Sequence, residues 1–138
     1  MQKSILIVDD SPAIRKSLRA MLQGSPEWRV SGEAVDGRDA VEKARQLKPD
    51  LIVLDLSMPV MNGLEAAREL KRIDPSVPLV MFTTFKTDVL EKEALASGCS
   101  AVISKSESPQ LLRGIRDLLR TTAQVGSNSL PAKRTQAG

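Results

Sequence analysis

The stretch LIVLDLSMPVMNG, residues 51–63, decides the fold assignment, because four apolar residues in it are followed directly by an acid, Asp55. An apolar run of this length is typical of a strand buried on both faces of a parallel sheet. A carboxylate at the end of such a strand is costly to bury unless it is paired or binds a metal ion. The sequence therefore predicts a charged site where this strand ends.

Strand-like runs alternate with helix-like runs from residue 4 to about residue 120. The predicted strands are residues 4–8, 28–34, 50–55, 78–83 and 101–105. Apolar residues recur at helical spacing between and after them, most clearly in the last helix, which has Leu111, Ile115, Leu118 and Leu119. Five strands alternating with five helices predict an α/β fold with a parallel sheet covered on both faces. In such folds the functional crevice lies at the carboxyl ends of the strands.

Two helices are preceded by a serine that can cap them and a proline that suits the first turn, at Ser11 and at Ser108. The fourth helix, about residues 87–97, has the weakest apolar stripe. From Thr121 onward the sequence loses its periodicity and gathers Gly, Ser, Asn and Pro. We therefore expect one domain over residues 1–123 and a flexible tail, or the start of a linker, over residues 124–138.

Composition excludes several classes of function. The chain has 138 residues, no histidine and one cysteine, Cys99, which excludes a zinc site, a histidine-based triad and an intramolecular disulfide. The excess of 20 basic over 17 acidic residues owes much to Lys133 and Arg134 near the end, so it is weak evidence for nucleic acid binding, and we expect none by this chain. Without a membrane-spanning apolar stretch or a signal peptide, a cytoplasmic location is expected.

Charged and hydroxyl side chains stand at the ends of four predicted strands. They are Asp9 and Asp10 at the end of the first strand, Asp55 as the last residue of the third, Thr83 as the last residue of the fourth and Lys105 as the last residue of the fifth. Three carboxylates in one crevice repel each other unless a cation joins them, and oxygen ligands without histidine or cysteine favour Mg²⁺. A carboxylate beside Mg²⁺, an ammonium group and a hydroxyl is suited to attack phosphorus. The pattern predicts that Asp55 becomes an aspartyl phosphate.

The motifs ILIVDDSP, LIVLDLSMPVMNG, LVMFTT and VISK, in this order, resemble the receiver domain of bacterial two-component response regulators over about residues 3–121. The resemblance implies a doubly wound, flavodoxin-like (CheY-like) sheet in strand order 2-1-3-4-5. It implies a phosphoacceptor switch and not an enzyme acting on other molecules. The phosphoryl group would come from a sensor histidine kinase or a small phosphodonor and would reach Asp55.

The same resemblance assigns roles to the other residues of the site. Asp9 and Asp10 would hold Mg²⁺ together with Asp55, and Ser57 would supply a backbone carbonyl to the metal. Thr83 and Lys105 would contact the phosphoryl oxygens. The partners implied are the kinase and a downstream protein or a missing output domain; a homodimer that depends on phosphorylation is left open.

Two positions depart from the family pattern. Val102 stands where many receivers have an aromatic residue of the switch, and Ser106 stands where many have proline after the lysine. The stretch KSESPQLLRGIRDLL, residues 105–119, resembles receivers that precede a DNA-binding helix-turn-helix domain. The chain is therefore either a stand-alone receiver or the excised receiver of a DNA-binding transcriptional regulator.

Three other functions fit the fold less well. Haloacid-dehalogenase-type phosphatases place a second Asp two residues after the nucleophile, where this chain has Ser57. A flavodoxin-like cofactor module needs a phosphate loop after the first strand, where Asp9 and Asp10 would repel phosphate. A receiver-like scaffold that is not phosphorylated is disfavoured because all five chemical positions are filled.

The lifetime of the phosphorylated form depends on the water that attacks phosphorus. Receivers resembling this chain vary that water through the positions two after the phosphorylated Asp and two after the Thr, here Ser57 and Phe85. Ser57 is short and Phe85 offers no hydrogen bond, so neither orients a water well. We predict a long-lived phosphorylated form.

Overall fold

The computed structural model describes residues 2–128 and contains a five-stranded parallel sheet in the order β2-β1-β3-β4-β5. The strands are β1 (Lys3–Val8), β2 (Trp28–Ala34), β3 (Leu51–Leu54), β4 (Leu79–Thr83) and β5 (Ala101–Ser104). The helices are α1 (Pro12–Gln23), α2 (Gly37–Leu47), α3 (Gly63–Ile73), α4 (Asp88–Ala96) and α5 (Ser108–Asn128). Strands and helices alternate along the chain, so the predicted fold class and strand order are confirmed.

Each face of the sheet packs against its own layer of helices, because successive side chains of a strand point to opposite faces. On β1, Leu6 and Val8 join the core under α2, α3 and α4, whereas Ile5 and Ile7 join the core under α1 and α5. All four residues of β3 are buried, which explains why β3 reads as a continuous apolar run.

Helix starts follow local capping chemistry. Ser11 caps α1 as predicted, with its side chain accepting a hydrogen bond from the Ile14 amide. The corresponding prediction for Ser108 is wrong by one residue, because α5 already includes Ser108. The α4 prediction of residues 87–97 included the two flanking residues, since Thr87 is the N-cap of α4 and Ser97 follows its end. These differences of one residue leave the positions of the helices unchanged.

Most strand ends are shorter than predicted. β3 excludes the predicted Asp50 and Asp55, β4 excludes Pro78, and β5 excludes Lys105. At the start of β3, the Asp50 carboxylate instead accepts a hydrogen bond from the Ser4 amide at 2.7 Å. At the carboxyl ends, the excluded Asp55 and Lys105 lie just beyond the ladder, where their side chains reach the same crevice.

The last helix is longer than expected. Residues 121–128 continue α5, although the loss of apolar periodicity predicted irregular structure from Thr121. Extending an existing helix costs far less free energy than nucleating one, so a helix can continue beyond the end of its apolar stripe. Residues 129–138 of the predicted tail lie outside the described residues, and the domain boundary at residue 123 stays a prediction. Within residues 2–128, none of the helices has the length and apolar character of a membrane span.

Candidate functional site

The carboxyl ends of the strands enclose a crevice of about 300 Å³, here called the acidic crevice. Its lining contains all the residues predicted for the site. The lining residues are Asp9, Asp10, Ser11, Asp55, Ser57, Thr83, Thr84, Phe85 and Lys105. Side chains from widely separated parts of the chain thus meet where the sequence analysis expected them.

The Lys105 ammonium group joins two of the carboxylates. Its Nζ lies 2.9 Å from Asp9 Oδ2 and 3.1 Å from Asp55 Oδ1. Burial by itself would lower the pKa of Lys105, but its hydrogen bonds and ionic contacts with Asp9 and Asp55 outweigh burial, so the pKa is raised. Lys105 therefore stays cationic and offsets part of the negative charge of the crevice.

The environment of Asp55 in the acidic crevice disfavours its ionised form. The residue is 6% exposed. Burial, and next the negative charge of Asp9, raise the pKa of Asp55, while the charge and hydrogen bond of Lys105 oppose that rise. The ionised form of Asp55 is thus under strain, and a further positive charge beside it would relieve that strain.

The donor set of the crevice fits a small divalent cation. Carboxylate oxygens of Asp9, Asp10 and Asp55 all lie within 4.8 Å of one another. Asp10 is exposed, and its carboxylate accepts no hydrogen bond from any residue in the described range. Three carboxylates against one ammonium group leave a negative excess, and hard oxygen donors are what Mg²⁺ prefers. Mg²⁺ therefore fits the residues present.

Ser57 and Thr83 line the crevice at the carboxyl ends of the adjacent strands β3 and β4. Ser57 is exposed, and no residue among 2–128 donates a hydrogen bond to its backbone carbonyl. Thr83 is 2% exposed, and its hydroxyl accepts a hydrogen bond from the Phe85 amide at 3.3 Å. The Thr83 hydroxyl can still donate, because that contact uses its oxygen as an acceptor.

Phe85 and Val102 occupy positions that affect dephosphorylation and the conformational switch in the sequence-based predictions. Phe85 lines the crevice and is 72% exposed, so most of its surface is in contact with solvent. Val102 is 4% exposed and belongs to the core that includes Leu90 and Ala94 of α4. The position that carries an aromatic ring in many receivers is therefore filled here by a small residue packed against α4.

The loop between β3 and α3 has a shape that the sequence analysis did not foresee. The Met61 amide donates to the Pro59 carbonyl at 2.7 Å, and Val60 between them has φ of 71°. This is the geometry of the rare γ-turn that strains a residue with a β-branched side chain. At the end of the loop, a Cβ on Gly63 would lie 2.2 Å from the Asp55 carbonyl oxygen. Gly63 therefore allows α3 to start directly against the backbone of Asp55.

Sequence reasoning also missed an arginine behind the crevice. Arg15 on α1 donates from Nη1 to the Asp9 carbonyl at 2.7 Å and from Nε to Glu33 at 3.0 Å. The only signal in the sequence was an acid, Glu33, inside a strand that otherwise carries one charge, Arg29. Such an acid requires a partner, but the pattern did not say which one.

The profile of the response regulator receiver domain matches residues 5–116. This chain belongs to that family. Chemotaxis protein CheY of Thermotoga maritima is 37% identical over 109 residues, which cover 79% of this chain and 90% of CheY. The crystal structure of the response regulator domain of Thermotoga maritima CheB matches with a TM-score of 0.82 and 31% identity, covering 87% of this chain and 98% of that domain.

Some relatives are much longer than this chain. Protein-glutamate methylesterase/protein-glutamine glutaminase 1 of Methanosarcina mazei is 43% identical over 105 residues, which cover 75% of this chain but 29% of that protein. The chain thus corresponds to less than a third of that relative. The predicted family is confirmed, and the chain contains a CheY-like response regulator receiver domain.

Proposed function

We propose that this receiver accepts a phosphoryl group on Asp55 in a reaction that requires Mg²⁺, and that the phosphorylated form signals to a downstream partner. The observation that carries the proposal is the bridge of Lys105 between Asp9 and Asp55, beside an Asp10 carboxylate without a partner in residues 2–128. This arrangement holds a nucleophile and leaves a place for a cation.

The chemistry assigns a role to each of the six residues predicted for the site. A carboxylate oxygen of Asp55 forms the bond to phosphorus, while the bond from phosphorus to the donor's leaving group breaks and the leaving group keeps the electron pair. Asp9, Asp10, Asp55 and the Ser57 carbonyl would hold Mg²⁺, which neutralises charge on the phosphoryl oxygens when bound. Lys105 and the Thr83 hydroxyl contact the remaining phosphoryl oxygens, since both can donate hydrogen bonds.

Membership of the receiver family supports a proposal for the phosphodonor and for the downstream partner. A sensor histidine kinase, or a small phosphodonor such as acetyl phosphate, supplies the phosphoryl group. The protein acts as a switch, and it catalyses only its own phosphorylation and dephosphorylation. Its output goes to a separate protein or to an output domain joined to it, as the length of the methylesterase relative illustrates.

The test is intact-mass measurement after incubation with acetyl phosphate and Mg²⁺. Wild-type protein gains one phosphoryl group, and Asp55→Asn gains none because an amide is not a nucleophile for phosphorus. Asp74→Asn, a change at the opposite end of α3, is the matched control and is phosphorylated as wild type. Omitting Mg²⁺ prevents the gain in mass. An adduct at wild-type level on Asp55→Asn would refute the assignment of Asp55.

A receiver-like scaffold that is never phosphorylated is the second candidate. The same experiment separates the two, because a scaffold gains no mass under any condition. The raised pKa of Asp55 favours the phosphoacceptor, since strain on an ionised carboxylate is a feature of functional sites more than of structural ones.

A further inference from the structure

Arg15 lies behind the acidic crevice, on the side of α1 and β2, and contacts the backbone of Asp9. Its side chain is 15% exposed and lies between the Asp9 carbonyl and Glu33. Arg19, one helical turn later, donates from Nε to the other oxygen of Glu33 at 2.6 Å. These two guanidinium groups lower the pKa of Glu33, chiefly through the hydrogen bond from Arg19, against the opposing effect of burial. Glu33 is therefore ionised and holds both arginines in place.

The carbonyl that Arg15 contacts belongs to the peptide group between Asp9 and Asp10. Three other contacts already hold Asp9, since its amide donates to the Ala34 carbonyl at 3.1 Å, its Oδ1 accepts from the Ser11 amide at 2.9 Å and its Oδ2 accepts from Lys105 at 2.9 Å. The Asp10 carboxylate has no hydrogen bond of its own among residues 2–128. The direction of the Asp10 side chain therefore depends on the plane of this peptide, and Arg15 holds that plane.

We propose that Arg15 is a positioning residue for the cation site, acting through the Asp9–Asp10 peptide. Glu33 orients the guanidinium group of Arg15, and the guanidinium group orients the peptide from which the two acidic side chains project. The inference rests on the proposed function, because the cation is the one assigned to Asp9 and Asp10 there. Groups that orient metal ligands in this indirect way commonly change metal affinity by 10–100-fold when removed.

Charge and geometry predict opposite effects for the loss of Arg15. Arg15→Gln removes a positive charge near the cation site, and the loss of its Coulomb repulsion towards Mg²⁺ would by itself tighten Mg²⁺ binding. Loss of the hydrogen bond to the Asp9 carbonyl would weaken Mg²⁺ binding. Arg19→Gln is the matched control, because Arg19 pairs with the same Glu33 but makes no contact with Asp9. The sign of the effect therefore separates a positioning role from a charge effect.

The experiment titrates the whole chain with Mg²⁺ by calorimetry, without a phosphodonor. We expect the Mg²⁺ Kd of Arg15→Gln to rise about tenfold and that of Arg19→Gln to stay within about twofold of wild type. A Kd for Arg15→Gln equal to or below that of wild type would overturn the inference. Absence of Mg²⁺ binding by wild type would instead refute the metal assignment, and this inference with it.

Arg15→Gln is expected to fold because Glu33 keeps its contact with Arg19. If it does not, Arg15→Lys serves in its place: lysine keeps the charge but lacks the planar fork that reaches two acceptors. Its Mg²⁺ Kd should rise about threefold, and an unchanged Kd would contradict the proposal. A second readout needs no metal: the Asp10 amide resonance should move in Arg15→Gln and stay in place in Arg19→Gln.

Discussion

Gly63→Ala tests how α3 supports the phosphoacceptor. An added Cβ would lie 2.2 Å from the Asp55 carbonyl oxygen and 2.8 Å from Leu56 Cα, and both of these atoms are backbone. Ordinary contact begins at 3.4 Å, so the start of α3 and the end of β3 must separate by roughly 1 Å. The Gly63 amide also donates to the Leu56 carbonyl at 2.8 Å, and that bond would stretch.

The effect of Gly63→Ala on the free energy of unfolding combines a loss from overpacking with a smaller gain from restricting the unfolded chain. Forcing extra atoms into a well-packed region costs about 1–3 kcal/mol. Alanine offsets about 0.4–1 kcal/mol of this by restricting the unfolded chain. We therefore expect a loss of about 1–2 kcal/mol in the free energy of unfolding. Because the separation moves Asp55, we also expect phosphorylation by acetyl phosphate to slow by about tenfold or more.

Urea denaturation and intact-mass time courses measure these two effects. Gly24→Ala is the control: an added Cβ there lies 3.4 Å or more from every neighbour, and Gly24 has the helical φ of −68°. The free energy of unfolding of Gly24→Ala should rise by about 0.4–1 kcal/mol. Acetyl phosphate should phosphorylate this variant at the wild-type rate. Gly63→Ala with stability and phosphorylation equal to wild type would refute the argument that α3 starts in contact with Asp55.

Three further predictions follow from the acidic crevice and its loops. Because burial and Asp9 raise the pKa of Asp55, its contribution to stability is full below its unfolded pKa and is lost as pH rises through the folded pKa. Asp55→Asn should thus gain stability over wild type as pH rises above the ordinary aspartate pKa of about 4 in metal-free buffer, and urea melts showing a constant difference would contradict this. Val60→Gly should stabilise the protein by about 1 kcal/mol by releasing the positive φ, and a destabilised variant would show that the turn is not strained. Phe85→Glu and Ser57→Asn should each speed loss of the phosphoryl group, where tenfold corresponds to about 1.4 kcal/mol. Decay after donor removal in excess Mg²⁺ measures this, and equal rates in all three proteins would exclude control by these side chains.

The exposure of Phe85 bears on why the phosphorylated form is expected to be long-lived. Because Phe85 is 72% exposed, the expected long lifetime rests on the lack of a group that orients water. Glutamate at this position could accept a hydrogen bond from a water above the crevice, which phenylalanine cannot do.

The sequence was sufficient for the order of elements and for the contents of the crevice. Apolar periodicity is a local signal, and the alternation of strands and helices leaves few topologies for a parallel sheet. Because the carboxyl ends of parallel strands meet at one edge of the sheet, the residues at or just after the strand ends identified Asp9, Asp55, Thr83 and Lys105 from the sequence alone. Element ends were less predictable, since hydrogen bonding at the ladder ends and propagation of α5 depend on their surroundings.

Tertiary structure decided which of these groups touch and what holds them. Lys105 reaches Asp9 across 96 positions of sequence, and Arg15 reaches the Asp9 carbonyl while pairing with Glu33 on a neighbouring strand. Gly63 stands in a motif that the sequence displays, but its contact with the Asp55 carbonyl exists only once α3 packs at the end of β3. Residue types and their spacing are local properties and can be read directly. Distances between side chains depend on strand register and helix packing, and these are fixed only when the whole core forms.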